Sequence, residues 1–288
     1  MATLLADLRF ARLRRSFARA PWSTLAELAA RAGYVARGSV YLSIGVIGVL
    51  AALDLTPRAK GAVGALEAWG DWPAGQLLLW LVGLGLYGFA GWRTLQAVFD
   101  VDHCGRTAKG WLARAGQAIS GLAYAGLAIS VFGLLDAMED LREADDQEAT
   151  RAAVSQALAM PWGEAVVAAV GLFVLGAGVG SIVRAFTDHF ARGLDCKPET
   201  RAWAGTLARL GYFGRGVALV PAGALMLRAG VQARASDARG VGGALQVLEA
   251  QPFGGVILAL TALGLIAFGL FAITEGWLRR MSIPEPSA

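Results

Sequence analysis

The sequence predicts an all-α integral membrane protein, in which six transmembrane helices form three parallel two-helix hairpin repeats in a pseudo-threefold bundle. Three observations predict this fold class: a low content of charged residues, long apolar stretches and an internal repeat. Of the 288 residues, 56% are hydrophobic and 17% are charged, whereas about a quarter of the residues of a soluble domain are charged. Because the apolar residues are gathered in long blocks, the chain is typical of a membrane protein rather than of a large soluble core.

Six apolar stretches predict the transmembrane helices, since crossing a bilayer takes about 20 helical residues. No Asp, Glu, Lys, Arg or His lies near the centres of these stretches, which disfavours proton-coupled transport. Gly176 and Gly180 form a small-xxx-small pair, and we expect this pair to let neighbouring helices approach closely. The stretches cover residues 33–53, 75–98, 115–135, 162–183, 211–227 and 253–277.

The distribution of Lys and Arg predicts the topology. Basic residues are concentrated before residue 33, in the second and fourth connections and in the tail. By the positive-inside rule both termini are cytoplasmic, which agrees with an even number of spans. We expect residues 1–30 to form a cytoplasmic amphipathic segment on the inner membrane surface, with a solvated basic lead-in as the alternative. Residues 280–288 form a cytoplasmic tail.

An internal repeat divides the chain into three units, at residues 31–104, 113–190 and 207–279. Each unit opens on an Arg-x-Gly motif, has a further glycine five residues later, and carries Pro-x-Gly before its second apolar stretch. Because each unit crosses the membrane twice, the copies are parallel and are related by an axis along the membrane normal. We expect each proline to lie in the first turn of the second helix, where its missing N–H has no partner to lose. The motif residues are Arg31, Gly33, Tyr34, Gly38 and Pro73 in unit one, Arg114, Gly116, Gln117, Gly121 and Pro161 in unit two, and Arg209, Gly211, Tyr212, Gly216 and Pro252 in unit three.

These motifs resemble a bacterial family named domain of unknown function 1206. The resemblance rests on R-x-G-Y-x-x-R-G in units one and three, on the Gly-Ala-Leu segments at 64–66 and 243–245, and on the Pro-x-Gly motif. It covers about residues 30 to 277 and implies a pair of transmembrane helices that occurs three times per chain. Unit two departs from the motif, with Gln117 in place of the tyrosine and Ser120 in place of the second arginine. The family implies no activity that can be carried over.

Arg37 and its repeat equivalent Arg215 are the candidate ligand-binding residues. The sequence places both at the cytoplasmic start of a helix, where a charge costs less than at the membrane centre. We expect their side chains to extend to lipid phosphates or to cap a neighbouring helix, while Gly38 and Gly216 permit close packing. The functional alternative is that the arginines and glycines line a cytoplasmic vestibule and bind a lipid headgroup or another anion.

A second set of polar residues is predicted to lie at one level of the bundle. Gln96, Arg184 and Glu275 each follow the proline of their unit by 23 residues. We expect Arg184 and Glu275 to form an ion pair that fixes the order of the hairpins.

Both histidines and both cysteines fall in two cytoplasmic loops. Two His and two Cys can form a tetrahedral zinc site, but their spacing follows no zinc motif, so we expect ordinary polar loop residues and no metal. No nucleophile elbow, phosphate loop, haem motif or HExxH helix is present, so we expect a protein that is not an enzyme and carries no cofactor. The four loop residues are His103, Cys104, His189 and Cys196.

The sequence therefore predicts a multi-pass protein of the bacterial inner (plasma) membrane, with no nucleic-acid partner. Our first hypothesis is a non-enzymatic membrane module that packs against protein partners or lipids. The alternative is a small channel or facilitator along the pseudo-threefold axis. A dry axis filled by Leu, Val and Phe favours the module. A polar stripe favours the channel, and its candidates are Tyr41, Ser43, Tyr87, Ser120 and Tyr124.

Overall fold

The computed structural model describes residues 22–70, 72, 74–101, 105, 107–139, 146–187 and 198–278, and these residues form helices, turns and loops without a strand. Six helices are long and apolar enough to cross a membrane, which confirms the predicted all-α class and the number of spans. The long helices are α1 (Trp22–Ala52), α3 (Gly75–Phe99), α4 (Ala108–Glu139), α6 (Gly163–Thr187), α7 (Pro198–Val231) and α9 (Gly254–Leu278). Shorter helices lie between the two long helices of each unit: α2 (Ala62–Glu67), α5 (Asp146–Leu158) and α8 (Val241–Glu249), with a 3-10 turn at Ala235–Asp237.

The first helix of each unit begins well before the apolar stretch that predicted it. Helix α1 begins at Trp22 rather than at residue 33, and α7 begins at Pro198 rather than at residue 211. The first four N–H groups of a helix have no partner within it, so continuing the helix through polar residues places these groups outside the apolar region. The predicted boundaries at this end were therefore wrong, and the arginines of the repeat lie deeper than expected.

The long helices pack in an order that follows the repeat. The second long helix of each unit packs against the first long helix of the next, so α3 meets α4, α6 meets α7, and α9 returns to α1. Within units one and three the two long helices also pack against each other. Over the described parts of α4 and α6, unit two has no comparable contact. The interfaces between units are thus related by the repeat, while the threefold axis stays a prediction.

One glycine per unit makes an equivalent close approach at each of these interfaces. Each lies five residues beyond the glycine of the Arg-x-Gly motif. A Cβ atom added to it would lie 2.7–3.3 Å from a backbone oxygen on the second long helix of the preceding unit, and the three partner residues are equivalent to one another in the repeat. Only glycine lets the two backbones approach this closely. The pairs are Gly38 with Gly269, Gly121 with Ala90, and Gly216 with Gly178.

The Pro-x-Gly motif has a different role from the one predicted. Helices α6 and α9 begin at the glycine, two residues beyond Pro161 and Pro252, and the residue between has a positive φ (65° at Trp162 and 61° at Phe253). The prolines therefore precede the helix in a tight turn, and Pro73 lies outside the described residues. The glycine is required because a Cβ atom on Gly254 would lie 1.7 Å from the carbonyl oxygen of Glu249.

An apolar core fills the half of the bundle next to the short helices. The leucines of the two Gly-Ala-Leu segments, Leu66 in α2 and Leu245 in α8, are fully buried in it. They pack with leucines of α3 and α9 and with aliphatic side chains of α1 and α4, whereas no described residue of α6 joins this core. The Gly-Ala-Leu motif therefore inserts one leucine into the bundle from each of these two units.

The small-xxx-small pair of α6 does not pack as predicted. A Cβ atom on Gly176 or Gly180 would meet no described atom within 4 Å. The glycines of α6 that approach a neighbour are Gly171 and Gly178, which lie against α7. Two i, i+4 glycines permit a close approach only on the face where a second helix lies, and the sequence does not say which face that is.

Candidate functional site: a buried arginine cluster

Arg37 lies inside the bundle and not at a helix start. It is ten residues beyond Glu27, where the apolar span of α1 begins, which is about 15 Å along the helix axis. Only 5% of Arg37 is exposed. The prediction that Arg37 extends to lipid phosphates was therefore wrong, because the preceding helical turns and the neighbouring helices enclose its side chain.

Three guanidinium groups and two phenyl rings alternate in one stack. The guanidinium of Arg37 lies over the rings of both Phe89 and Phe268, 5.1 and 5.0 Å from their centroids. Arg93 lies 5.1 Å from the Phe89 centroid, and Arg215 lies 5.1 Å from the Phe268 centroid. We call Arg37, Arg93, Arg215 and the two phenylalanines the arginine cluster. Each ring is in contact with two cations, and cation–π contacts are worth about 0.5–2 kcal/mol each.

The repeat explains how most of this stack is built. Phe89 and Phe268 are equivalent residues, and each lies against the Arg-x-Gly glycine of its own unit. A Cβ atom on Gly33 would lie 2.5 Å from the Cβ atom of Phe89, and one on Gly211 would lie 2.5 Å from the Cα atom of Phe268. The tyrosine after each glycine contacts the same ring edge-on, with centroids 5.2 Å apart in both units. The tyrosines are Tyr34 and Tyr212.

Arg215 joins three helices through hydroxyl groups. From α7 its Nε donates to the hydroxyl oxygen of Tyr41 in α1 at 3.1 Å, and its Nη1 donates to the hydroxyl oxygen of Ser181 in α6 at 3.2 Å. Tyr124 of α4 packs edge-on against Phe89, with centroids 4.8 Å apart. Units one, two and three therefore all contribute to the surroundings of the cluster.

The charges of the cluster are not balanced by the described residues. Glu275 faces Arg37, with 3.6 Å between the carboxylate oxygen Oε2 and Nη2 of Arg37. In the part of the chain that the structure describes, this is the one carboxylate paired with any of the three arginines. The predicted pair of Arg184 with Glu275 was wrong, since Glu275 points to Arg37 and Arg184 is exposed at the outside of α6. Among the described residues, three cations and one anion give the cluster a net charge of +2.

Arg37 also lacks hydrogen-bond acceptors. Its Nε and Nη2 atoms are buried and form no hydrogen bond within the described residues, and the same holds for Nε of Arg93. A guanidinium has five N–H donors, and aromatic rings supply no lone pair to receive them. Leaving such donors buried and unsatisfied costs about 1–3 kcal/mol or more, because these are charged groups.

Arg93 was missed by the sequence analysis. Its repeat equivalents are Ser181 and Ala272, so a search for residues that recur in the three units does not find Arg93. Its signal is simpler, because an arginine within an apolar stretch is a functional candidate by itself. Gln96, the predicted polar residue one turn further along α3, accepts a hydrogen bond from Arg93 at 3.2 Å and is 1% exposed.

The arginines that open the repeat units have a structural role. Arg31 donates to the last carbonyl oxygens of α9, at Gly276 and Trp277 (3.0 and 2.8 Å), and Arg114 donates to equivalent carbonyl oxygens of α3, at Ala97 and Val98 (2.7 and 3.0 Å). Each therefore caps the helix end of the neighbouring unit. Arg209 forms no such bond within the described residues.

The remaining predicted site residues divide into two groups. Gly38 and Gly216 lie at helix contacts, as expected for close packing, so they position the arginines and offer no ligand atoms. His103, Cys104, His189 and Cys196 lie outside the described residues, so the expectation that these loops hold no metal stays a prediction. The residues that the structure describes contain no group of three potential metal ligands.

Comparison with known proteins places the chain in a repeat family without an assigned activity. The model of the family described as Domain of Unknown Function (DUF1206) matches three times, at residues 32–100, 115–188 and 210–279. An uncharacterized protein of Bacillus subtilis (strain 168), YxxB, is 29% identical over 265 residues, which is 88% of this chain and 90% of that protein. No solved structure matches the chain.

Proposed function

This chain belongs to the Domain of Unknown Function (DUF1206) family, and we propose that it is a non-enzymatic binding module of the bacterial inner membrane whose arginine cluster holds an anionic group. The observation that carries the proposal is Arg37, which is 5% exposed and has two nitrogen atoms without an acceptor in the described residues. An arginine inside a membrane costs at least about 2.5–3.5 kcal/mol. A bound phosphate or carboxylate would supply both the missing acceptors and the missing negative charge.

The position of the cluster suggests the side from which the anion enters. Arg93 is six residues from the end of α3 at Phe99, or about 9 Å. Arg93 and Arg215 are half-buried, whereas Arg37 between them is buried, so the outer arginines form the mouth of the site. With both termini in the cytoplasm, as the positive-inside rule predicts, the anion comes from the cytoplasm or from the headgroups of the inner leaflet.

The apolar core favours a binding module over a channel along the axis. Beyond the cluster the interior of the bundle contains mainly buried aliphatic residues, and Leu86 and Leu265 are both 0% exposed. Of the residues proposed as a polar stripe, Tyr41 and Tyr124 lie beside the cluster, whereas Tyr87 is 43% exposed and stacks on Phe132 at the outside. Ser43 and Thr261 are buried beyond the cluster, but each hydroxyl donates to a carbonyl oxygen of its own helix, which favours packing over a polar path.

Native mass spectrometry of the protein released from its own membrane tests this proposal. The informative variant is Arg37→Met combined with Glu275→Gln, because it removes the guanidinium that lacks acceptors. The outer arginines, Arg93 and Arg215, keep the net charge of the described cluster at +2, so loss of the ligand reports the donors of Arg37 itself. Replacing a buried ion pair by neutral side chains of similar size is often neutral or stabilising. We expect the wild-type protein to carry a stoichiometric anionic molecule, a lipid or a soluble metabolite, and the double variant to accumulate normally without it.

Arg209→Gln is the matched control, because Arg209 is an exposed arginine of the same repeat motif. It should retain the bound molecule. A wild-type protein without an anionic ligand, or a double variant that keeps it, would overturn the proposal. A protein partner bound equally to all three forms would instead favour a module that packs against other membrane proteins.

The proposed orientation has a separate test. Reporter fusions at the two chain ends should both report a cytoplasmic location. A terminus outside the cytoplasm would reverse the side from which the anion enters and would contradict the positive-inside assignment.

A further inference from the structure

A cavity lies between the short helices, at the end of the bundle opposite the arginine cluster. It has a volume of about 190 Å³ and is lined by residues 58–64 before and within α2, by residues 240–243 and Gln246 at the start of α8, and by Gln147 and Thr150 of α5. A Cβ atom on Gly242 would lie 2.4 Å from the backbone nitrogen of Gly61, so these two glycines let the segments meet. The apolar core that contains Leu66 and Leu245 separates this cavity from the arginine cluster.

Cations gather around this cavity. Arg58 and Lys60 line it. Arg151 and Arg239 lie behind the lining residue Gln147, and their guanidinium groups both donate to its side-chain oxygen, at 3.0 and 3.3 Å, in the amide orientation that satisfies both. The structure describes five Lys and Arg residues in the three short-helix connections, and four of them are these. The fifth, Arg234, is exposed, does not line the cavity and has no hydrogen bond to Gln147. Basic residues are sparse on this face, so their concentration at one cavity is a specific feature of the fold.

Within the described residues, most of this positive charge has no carboxylate partner. Lys60 pairs with Glu67 at 2.9 Å, but Arg58, Arg151 and Arg239 form no ion pair within the described residues. The Nε atom of Arg151 is buried and forms no hydrogen bond there. Two guanidinium groups that share one neutral amide oxygen repel each other, so a counter-ion between them and Arg58 would stabilise the arrangement.

We infer that this cavity binds a phosphate group. Guanidinium forks match phosphate oxygens in geometry and charge, and the cavity has room for one such group. The phosphate belongs either to a soluble ion or to the headgroup of a lipid in the leaflet next to the short helices. Because the cavity shares no residue with the arginine cluster, its ligand is independent of the ligand proposed there.

Equilibrium binding of inorganic phosphate to the full-length protein in detergent tests the soluble source. The background is the Arg37→Met and Glu275→Gln variant, which lacks the central guanidinium of the arginine cluster, and each further substitution is compared with this background. Adding Arg151→Gln and Arg239→Gln should weaken phosphate binding at least tenfold. Arg58 is exposed, so Arg58→Gln should not disturb folding. This single substitution should weaken phosphate binding about threefold. Arg234→Gln is the matched control and should change the dissociation constant less than twofold.

Native mass spectrometry in the same variants tests the lipid source. A phospholipid that stays bound in detergent should be lost when Arg151 and Arg239 are replaced, and should be retained with Arg234→Gln. Either this loss or the weaker phosphate binding supports the site and identifies the source. If the background protein binds neither phosphate nor phospholipid, or if the arginine replacements change neither, the inference is overturned.

Discussion

Unit two differs from units one and three at almost every position that builds the arginine cluster. Units one and three supply Arg37 and Arg215, each four residues beyond the motif glycine, where unit two has Ser120. They supply a phenylalanine on the second helix where unit two has Ala177. Unit two instead supplies accessory groups, the ring of Tyr124 and the hydroxyl of Ser181.

The packing differs in the same way. In units one and three the motif glycine lies directly against the backbone of its own second helix. In unit two a Cβ atom on Gly116 would meet only the edge of Phe173, at 3.9 Å. The helix packing between units therefore recurs in all three units, whereas the close packing within a unit occurs only in units one and three, which have a phenylalanine where unit two has Ala177.

The largest expected difference comes from enlarging the motif glycines. Gly33→Leu should prevent accumulation of folded protein, because its Cβ atom alone would lie 2.5–2.7 Å from backbone and Cβ atoms of Phe89, and backbones cannot yield as a side chain can. Gly116→Leu should accumulate at wild-type levels. Membrane-fraction yield and size-exclusion profiles measure both. Equal tolerance of the two substitutions would show that unit one is as open as unit two.

Removing the central arginine is the next largest change. Arg37→Ala should destabilise the fold by about 3–5 kcal/mol, because it deletes one member of a buried ion pair and empties the space between two rings. The equivalent change in unit two, Ser120→Ala, should stay within about 0.5 kcal/mol. Unfolding titrations in mixed micelles give both values. Near-equal values would mean that the stack contributes little to stability.

The capping arginines should show an intermediate effect. Arg31→Ala and Arg114→Ala each remove two charge-assisted hydrogen bonds to a helix end, so each should cost about 1–3 kcal/mol. Arg209→Ala should cost less than about 0.5 kcal/mol, since it removes no such bond in the described structure. Thermal unfolding of the three variants in one detergent tests the order. A large loss for Arg209→Ala would indicate that the third interface between units is capped as well.

The smallest expected effect is the difference in stability between alanine substitutions at two glycines of α6. Gly178→Ala should cost about 1 kcal/mol, because its Cβ atom would lie 2.9–3.1 Å from atoms of α7. Gly176→Ala faces open space and should be neutral or slightly stabilising, given the higher helix propensity of alanine. The melting temperatures should differ in that order. A destabilising Gly176→Ala would show that another surface covers this face of α6.

Much of the architecture was determined by the sequence alone. The apolar stretches predicted six membrane-spanning helices, and the spacing of Arg31, Arg114 and Arg209 predicted three copies of one hairpin. Both follow from local requirements, because a bilayer sets the length of an apolar helix and a repeat copies each residue to the same place in its unit. The prediction of close packing at Gly38 and Gly216 also held, since a glycine that recurs at one position of a repeat marks a repeated contact.

The tertiary structure alone decided where the charges lie and which helix faces meet. The sequence placed Arg37 near a helix start because the apolar run begins close to it, but α1 begins eleven residues earlier than that run. Glu275 pairs with Arg37 and not with Arg184. The spacing of residues within one unit could not predict this pair, because Arg37 lies 238 residues before Glu275 in the chain. Gly176 and Gly178 are separated by two positions and face opposite environments. A single helix has one sequence but several faces, and only the neighbouring helices determine which face is buried.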